Sequence, residues 1–599
     1  MPQVSEETLS EEFGVFGFDL NDEHYPKLTE LCLQFHLNES EIAQEWVAFK
    51  CSKNLAKMSM SSLDKFEREW LGKHSSKTSR NDSKTVAKVD NFGQRIGDEE
   101  VDLVSQYSSA LAQGGKSTGK RQVTPEDRNV WRKRLVGSER SPVVPFSPNS
   151  FSPAPAPKSG PSSSKFSTRT SAGEVLVNFG AAETALWKGS DRGCTVTPYY
   201  DSAQLLTTQY KYMFQKLAEK AHVLNDEIEE MEERLRKEYL IEEFSHIAIP
   251  NQDVVQVSGR VACDSNGKLN SQSVVLEGSR QTSSGQHIPV DLSELTEFAF
   301  FPGQIIAADA VNFTGKKLLL KKVHPSVPLP FPEARVKSEA GASLRVVVAA
   351  GPFSTSDNLS YEPLMELLGL IRSDQPDVCI LTGPFVDTKN SLVESGKLDQ
   401  TYEAVFRKQM EIIADEIKRR SCKLVLVPSA RDIHHHPVYP QGPFVLPDTP
   451  QQFYLAPDPC TLVINNVVFG ITSTDILFHL GAEEVAMCQP GTTDRLGRLV
   501  QHLLEQHSYY PLYPPAEDVN ADLEHFEDGV HMPVTPHVLI TPSDLRYFIK
   551  DSGGCCCVNP GRLAKGQVGG TYARLILQPP TSTEPASLVP TMSGQILRI

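Results

Sequence analysis

Three consecutive histidines, His434 to His436, follow the strand-like run Lys423 to Val427 in the stretch RDIHHHPVYPQ. Imidazole is the commonest metal ligand in proteins, so this spacing raises the question of a metal-dependent active-site loop. Adjacent side chains of an extended segment point to opposite sides, so at most two of the three can bind one ion from the same face. We therefore interpret them as structural or surface histidines and keep a metal site as the alternative.

The segment after the histidines is rich in proline and aromatic residues. Such residues lose little conformational entropy when they are held in one conformation, which suits a rigid contact surface. We expect them to serve either subunit association or the stability of the domain. The residues are Pro437, Tyr439, Pro440, Pro443 and Phe444.

The elements that position these residues have an α/β pattern. From residue 344 onwards, runs such as LRVVVAA, DVCILTG, CKLVLVPS and HVLITPS alternate with stretches of helical periodicity. Strands that are apolar throughout belong to a sheet covered on both faces, and chemistry in such folds lies at the carboxyl ends of the strands. The sequence predicts an α/β domain over 340–599, with any site at those strand ends.

Upstream of this domain the apolar period shortens, and strand-like runs separated by Asn-Gly and Thr-Gly turns predict an OB-fold barrel over 241–335. An amphipathic helix within 201–240 is expected to lead into it. Barrels of this kind can stack single-stranded nucleic acid on aromatic rings beside basic side chains. Because the lysines flank a strand, we favour a structural role for this group over DNA binding. The group comprises Phe298, Phe300, Phe301, Lys316, Lys317, Lys321 and Lys322.

The first 200 residues divide into a helical and a Ser/Pro-rich part. Apolar residues recur at helical spacing over 1–75, which predicts a small bundle that is either purely structural or a docking module. Residues 76–200 contain too few apolar groups to offset the entropy of ordering, so we expect a disordered linker. Four hydroxyl residues that precede proline are candidate phosphorylation sites, although Ser-Pro is also simply common in disordered segments. These are Thr124, Ser141, Ser147 and Ser152.

Composition limits the function classes. The formal net charge of -16 argues against a wide nucleic-acid surface but leaves room for a local basic groove. The eleven cysteines do not form the framework of a small disulfide-rich domain, which suits a reducing compartment. No apolar run approaches the ~18 residues needed to cross a bilayer. We expect a soluble intracellular protein.

The order and spacing of the strands in 340–599 resemble those of the calcineurin-like metallophosphoesterases. That family holds two metal ions with D-x-H, G-D-x-x-D and G-N-H-D/E after its first three strands and with a closing G-H-x-H. Here Ala and Pro replace most ligands, and Arg431 brings a fixed positive charge where a cation would be bound. Two remaining carboxylates without imidazole do not make a two-metal site. The degenerate positions are Ala350, Pro352, Pro384, Asp387, Ala430, Arg431, Asp432, Pro542 and Asp544.

The resemblance implies that the domain has no metal, no cofactor and no catalytic residue. The sequence therefore predicts a multidomain α+β protein with an N-terminal helical bundle, a disordered linker, an OB-fold barrel and a calcineurin-like phosphoesterase domain that lacks metal ligands. An active phosphoesterase or nuclease and a stand-alone single-strand-binding protein are the alternatives.

Several motifs resemble those of the B-subunits of replicative DNA polymerases, and most closely the vertebrate type found with DNA polymerase alpha and primase. They include DLSELTEFAFFPGQ, GPFSTSDNLSYEPL, LVPSARDIHHHPVYPQ, FGITSTDILFHLGAEE and VNPGRLAKGQVGGTYARL. The resemblance implies a non-catalytic nuclear scaffold that binds the C-terminal domain of the catalytic subunit, is coupled to primase and supports primer synthesis. It further implies that residues 1–75 contact other replication factors, that contact with DNA is weak or indirect, and that no membrane is involved.

Overall fold

The computed structural model describes 166–189, 193–199, 206, 210–265, 267–333, 343–418, 420–488, 494–580 and 584–599. Near the N-terminus it describes 24–35 and six single positions, Leu9, Ile42, Trp46, Phe49, Leu63 and Phe66. The chain divides into two compact units, Met1–Arg140 and Ser141–Ile599. The four candidate phosphorylation sites lie outside the described residues.

The first unit contains helix α1 (His24–Phe35) and an apolar core. The rings of Trp46, Phe49 and Phe66 lie 5.3 to 5.8 Å from one another. These residues lie in the segment 1–75, where apolar residues recur at helical spacing, and burial of such residues is what holds short helices together. The other buried apolar residues are Leu9, Leu28, Leu31, Cys32, Ile42 and Leu63.

The second unit begins with two short strands, β1 (Val175–Gly180) and β2 (Val196–Pro198). Strand β1 pairs with the last strand of the chain, and β2 pairs with Leu462 to Ile464 at the edge of another sheet. The predicted linker boundary at residue 200 is therefore wrong. Val177 and Phe179 pack against the core between the sheets, and the Ser/Pro-rich composition of the segment as a whole concealed this apolar alternation.

A long helix and a closed barrel follow. The helix begins at Leu217, where the Glu219 side chain accepts a hydrogen bond from the Lys216 backbone amide at 2.6 Å, so it occupies only the second half of the predicted 201–240 segment. The elements are α2 (Leu217–Glu238), β3 (Asn251–Cys263), β4 (Val274–Glu277), α3 (Arg280–Ser283), β5 (His287–Asp291), β6 (Phe298–Phe300), β7 (Ile305–Asn312) and β8 (Leu318–His324). The barrel order is β3-β4-β5-β8-β7, with β5 and β8 parallel. This confirms the predicted OB-fold.

Helix α2 is fixed to the barrel wall by apolar and polar contacts. Ile228, Met231 and Leu235 pack against residues of β7. The buried Glu232 carboxylate accepts hydrogen bonds from Ser258 at 2.5 Å and from Ser279 at 3.2 Å. A buried carboxylate is tolerated only when it has such partners, so these bonds also specify how the helix lies on the barrel.

Most of the remaining elements form two facing sheets with helices outside. The strands are β9 (Leu344–Ala350), β10 (Val378–Thr382), β11 (Lys423–Val427), β12 (Phe453–Leu455), β13 (Cys460–Ile464), β14 (Val467–Ile471), β15 (Val485–Met487), β16 (Val538–Ile540), β17 (Phe548–Ser552), β18 (Cys555–Asn559), β19 (Ala564–Lys565), β20 (Val568–Gly569), β21 (Thr571–Leu577) and β22 (Ser593–Arg598). The helices are α4 (Glu362–Asp374), α5 (Ser391–Glu394), α6 (Tyr402–Ile417), α7 (Ile476–Glu483) and α8 (Arg495–Glu505). Outside the two facing sheets, β19 and β20 pair only with each other, and β15 pairs with β6.

The two sheets have the orders β1-β22-β21-β9-β10-β11-β12 and β17-β18-β16-β14-β13-β2. Apolar side chains of both sheets, such as Val348, Ile380 and Phe469, meet in one core between them. Helices α4 and α6 cover the outer face of the first sheet, and α7 and α8 cover the second. The mixed α/β prediction is confirmed. Because β9, β10 and β11 are parallel and in register, their carboxyl ends adjoin.

The barrel and the two-sheet domain share a core. Strand β6 pairs with β15, and Phe301 of the barrel lies in the core of the second sheet. The Gln506 side chain accepts a hydrogen bond from the backbone amide of Ile305 at 2.7 Å and donates one to its carbonyl at 3.0 Å. The two parts are therefore packed as one body. Among the described helices, none combines the length and apolar character that spanning a bilayer requires.

Candidate functional site at the strand ends

The loops that leave β9 and β10 are tightly packed against each other. Gly351 donates a backbone hydrogen bond to Thr382 at 2.8 Å, and Gly383 donates one to Val427 at 2.8 Å. A Cβ atom at Gly351 would collide with the Pro384 backbone, and one at Gly383 would collide with the Asp432 carboxylate. Glycine at these two positions therefore lets the strand ends approach closely.

Arg431 and Asp387 form a two-point ion pair at these strand ends. Arg431 Nε lies 3.1 Å from Asp387 Oδ1, and Nη2 lies 2.5 Å from Oδ2. Asp387 is only 6% exposed. Parallel guanidinium–carboxylate bonds are among the stronger pairings in proteins. Both oxygens of this retained carboxylate are thus engaged by the arginine.

Asp432, the second retained carboxylate, is occupied by the backbone. Its Oδ1 accepts hydrogen bonds from the amides of Phe385 at 2.5 Å and Val386 at 3.0 Å. Its Oδ2 accepts one from the amide of Ser429 at 3.1 Å. Burial raises the pKa of Asp432 to about 7, against the opposing effect of these amides. The side chain joins two loops and has little capacity left for a ligand.

A second arginine, Arg562, also lies at the strand ends, and the sequence analysis did not identify it. Arg562 Nε lies 3.0 Å from Asp544 Oδ1, and Nη2 lies 3.3 Å from Asp475 Oδ2. Burial acts to raise the pKa of Asp544, but Arg562 outweighs it and holds that pKa below its usual value. The only sequence signal for Arg562 was its place in the motif VNPGRLAKG, which carries no chemistry by itself.

The structure brings several of the degenerate positions to one cleft of about 250 Å³. Pro352, Asp387, Arg431 and Asp544 line it, together with Arg562. Ala350 ends β9 and is fully buried, and Pro384 and Pro542 are also buried. The half-buried Ala430, like these three, offers no side-chain ligand atom. The cleft therefore presents arginine–carboxylate pairs.

One group of three potential metal ligands occurs among the residues that the structure describes: Asp522, Glu524 and His525. None of the degenerate strand-end positions belongs to it. Asp522 Oδ2 accepts a hydrogen bond from the backbone amide of Met213 at 2.7 Å, and its Oδ1 lies 3.5 Å from His525 Nδ1. Through Asp522, this group binds the segment that precedes α2.

The three consecutive histidines have separate partners. The His434 ring stacks against the rings of Phe406 and Phe444, at centroid distances of 4.0 and 5.5 Å, and burial lowers the pKa of His434 to about 3. His435 Nε2 lies 2.8 Å from the Gly442 carbonyl oxygen, and His436 Nδ1 lies 3.1 Å from the Tyr212 hydroxyl. These contacts favour structural roles.

The proline and aromatic residues after the histidines are mostly interior. Tyr439 and Phe444 are 1% and 3% exposed, and Pro440 and Pro443 are buried as well. The Tyr439 ring lies 5.4 Å from that of Tyr510. Of the two expected roles, their burial favours domain stability over subunit association for these four residues. Low entropy cost suits a core as well as an interface, and the sequence did not distinguish the two.

Five of the seven barrel residues considered for single-strand stacking have contacts within the barrel region. Phe300 and Phe301 are at most 1% exposed, and the Phe298 ring stacks on Phe300 at 5.5 Å. Lys317 pairs with Asp291 at 2.9 Å and Lys321 with Glu294 at 2.5 Å. The two buried rings are not available for stacking with a base.

Comparison with known proteins defines the class of this fold and site. Residues 346–550 match the family of the B subunits of DNA polymerases alpha and epsilon, so the chain is of the class of polymerase B-subunits. Residues 221–326 match the OB domain of the DNA polymerase alpha B-subunit, and 7–73 match the N-terminal domain of the same B-subunit.

Relatives specify the family further. The B-subunit of DNA polymerase alpha from Rattus norvegicus is 41% identical over 611 aligned residues, which cover 100% of both chains. The Mus musculus protein of the same name is 42% identical over 96% of both chains. That of Schizosaccharomyces pombe is 33% identical over 62% of this chain and 68% of the relative. The chain belongs to the family of DNA polymerase alpha B-subunits. It is an accessory subunit of that polymerase, as the motifs predicted.

Proposed function

We propose that the chain is the non-catalytic scaffold of a DNA polymerase alpha–primase complex in the nucleus. It binds the C-terminal domain of the catalytic subunit, is coupled to the primase subunits and supports RNA–DNA primer synthesis when replication begins. The observation that carries the non-catalytic role is the pair of arginines, Arg431 and Arg562, at the strand ends. They form ion pairs with the carboxylates that would otherwise be available as metal ligands.

In this proposal the two-sheet domain has a phosphoesterase-like fold but does not hydrolyse phosphoesters. Two-metal hydrolysis requires ligands that fix both ions and a metal-bound hydroxide that attacks phosphorus. Asp387 and Asp544 are each bonded to an arginine, and Asp432 is bonded to three backbone amides. The histidines His434 and His435 contact other parts of their own loop region.

Residues 1–75 act as a docking module for other replication factors in this proposal. They match an N-terminal family domain and have a buried aromatic group of their own. The Ser/Pro-rich sequence after them carries Thr124, Ser141, Ser147 and Ser152.

Phosphorylation of these four residues by proline-directed kinases of the cell cycle regulates partner choice. Each phosphate adds roughly -1.5 to -2 charges at neutral pH, which changes the binding of a segment more readily than the fold of a domain. Phosphopeptide mapping of protein from synchronised cells should find these residues modified in a cycle-dependent way. Unmodified peptides at every stage would contradict this part of the proposal.

Co-purification tests the scaffold role. The full chain, produced together with the C-terminal domain of the catalytic subunit, should elute with it as a stoichiometric complex in size-exclusion chromatography. The chain 141–599 should do the same because it retains both the barrel and the two-sheet domain. Separate elution of the full chain and the catalytic-subunit domain would contradict the proposal.

A further inference from the structure

The cleft at the strand ends is part of a longer basic groove. Asp544, Arg562 and Lys565 line both this cleft and a second one of about 410 Å³. Lys389 and Arg431 line the first, and Arg546 lines the second. With Arg598, which also lines the second cleft, six cationic side chains lie along one groove of a chain whose formal net charge is -16. Such a local reversal of charge attracts anions.

Part of this positive charge is free to meet a ligand. Lys389 is exposed, and within the described residues its ammonium group makes no hydrogen bond or ion pair. Asp387 uses Nε and Nη2 of Arg431, which leaves the Nη1 atom directed away from that pair. The carboxylates hold both guanidinium groups in place, so little side-chain entropy remains to be lost when an anion binds.

An unpartnered hydroxyl lies beside these cations. Thr355 is 4% exposed, lines the cleft, and its Oγ1 atom has no hydrogen-bond partner among the described residues. A buried hydroxyl without a partner is costly, and native proteins leave few of them. An acceptor oxygen from a ligand in the cleft would satisfy it.

We propose that this groove binds a phosphate group, either as a free polyphosphate ion or as the phosphodiester of a short single strand. A phosphate offers several acceptor oxygens, which suits the planar edge of Arg431 and the point charges of Lys389 and Lys565. The first cleft, at about 250 Å³, has room for a pyrophosphate-sized anion. The groove binds the anion without hydrolysing it.

Isothermal titration calorimetry with sodium pyrophosphate on the full chain, at constant ionic strength, tests the proposal. The variant K389Q/K565Q should bind about tenfold more weakly or worse, because two charge-assisted contacts are lost. The matched control K316Q/K322Q removes the same charge at exposed barrel positions and should bind like the wild type. The single variant K389Q serves if the double variant unfolds at a lower temperature.

A short oligonucleotide in the same titration distinguishes the two sources of phosphate. Oligonucleotide binding that weakens in K389Q/K565Q assigns the groove to a phosphodiester, and pyrophosphate binding alone assigns it to a free ion. No binding of either probe to the wild type, or equal weakening in the cleft and control variants, overturns the proposal.

Discussion

At the scale of single residues, the main feature of the site is that arginine side chains pair with its carboxylates. The spacing in the sequence correctly located Asp387, Arg431 and Asp432 at adjoining strand ends, because parallel strands in register bring their carboxyl ends together. It did not reveal that Arg431 pairs with Asp387 or that Arg562 joins from a distant loop. Such pairs depend on three-dimensional contacts between segments that no local pattern connects.

Removing one partner of the Arg431–Asp387 pair should destabilise the fold. The variant R431M leaves the Asp387 carboxylate buried without its cation, which typically costs about 3 kcal/mol or more. The double variant R431M/D387N removes the stranded charge and should recover most of that loss. Urea unfolding of the three proteins measures the difference. An R431M free energy of unfolding equal to that of the wild type would show that the pair is not coupled to stability.

His434 should make the protein sensitive to acid. Its folded pKa is about 3, whereas an unfolded histidine has a pKa of about 6.5, so the unfolded chain binds more protons between these values. The free energy of unfolding therefore falls as pH decreases from about 6.5 toward 3. The variant H434F keeps the ring stacking and removes the titration. Its stability should fall less steeply than the wild type's, by up to about 1 kcal/mol per pH unit.

Chemical denaturation at several pH values between about 6.5 and about 4.5 checks this slope. The control is I433F, at an exposed position of the same loop that has no titratable group, and its pH dependence should follow that of the wild type. Parallel curves for H434F and the wild type would mean that His434 does not titrate on unfolding.

At the scale of elements, local periodicity located most strands but not the edges of the sheets. The apolar runs of β9, β10 and β11 are largely buried strands, and the strand-like runs after Pro250 form the closed barrel. By contrast, the sequence predicts a linker where β1 and β2 lie, because both strands are short and the segment is polar. Their pairing partners are more than two hundred residues away, so only the folded structure reveals them.

Truncation tests whether these two edge strands stabilise the sheets. A chain 166–599 retains β1 and β2, whereas a chain 201–599 exposes the unpaired edges of β22 and β13. Unpaired edges favour aggregation, so the shorter chain should give less soluble protein and a lower unfolding midpoint. Thermal unfolding and size-exclusion chromatography compare the two. Equal stability would mean that β1 and β2 contribute little to the sheets.

At the scale of the whole molecule, the chain consists of two compact units, each with its own core. The second unit joins the barrel to the two-sheet domain through β6, β15 and Gln506, which makes it suitable as a rigid platform. The first unit has its own aromatic core of Trp46, Phe49 and Phe66. The sequence predicted both parts and the family, because family motifs are spread along the chain. It did not predict which surfaces are exposed and available to bind other subunits.

Deleting residues 1–75 should leave the platform intact. The truncated chain should still elute with the C-terminal domain of the catalytic subunit, while its recovery of other replication factors from cell extract decreases. Affinity purification with quantitative mass spectrometry measures both results in one experiment. Loss of the catalytic subunit from the truncated chain would show that the first unit belongs to the platform instead.

The central claim is that the strand ends have no hydrolytic chemistry. The most direct measurement is the phosphodiesterase activity of the purified full chain on a chromogenic diester with added Mg²⁺, Mn²⁺ or Zn²⁺, alongside its metal content. We expect less than stoichiometric metal and a rate no higher than that of R431M/D387N. Stoichiometric metal together with hydrolysis that disappears when His434, His435 and His436 are replaced by alanine would contradict the claim.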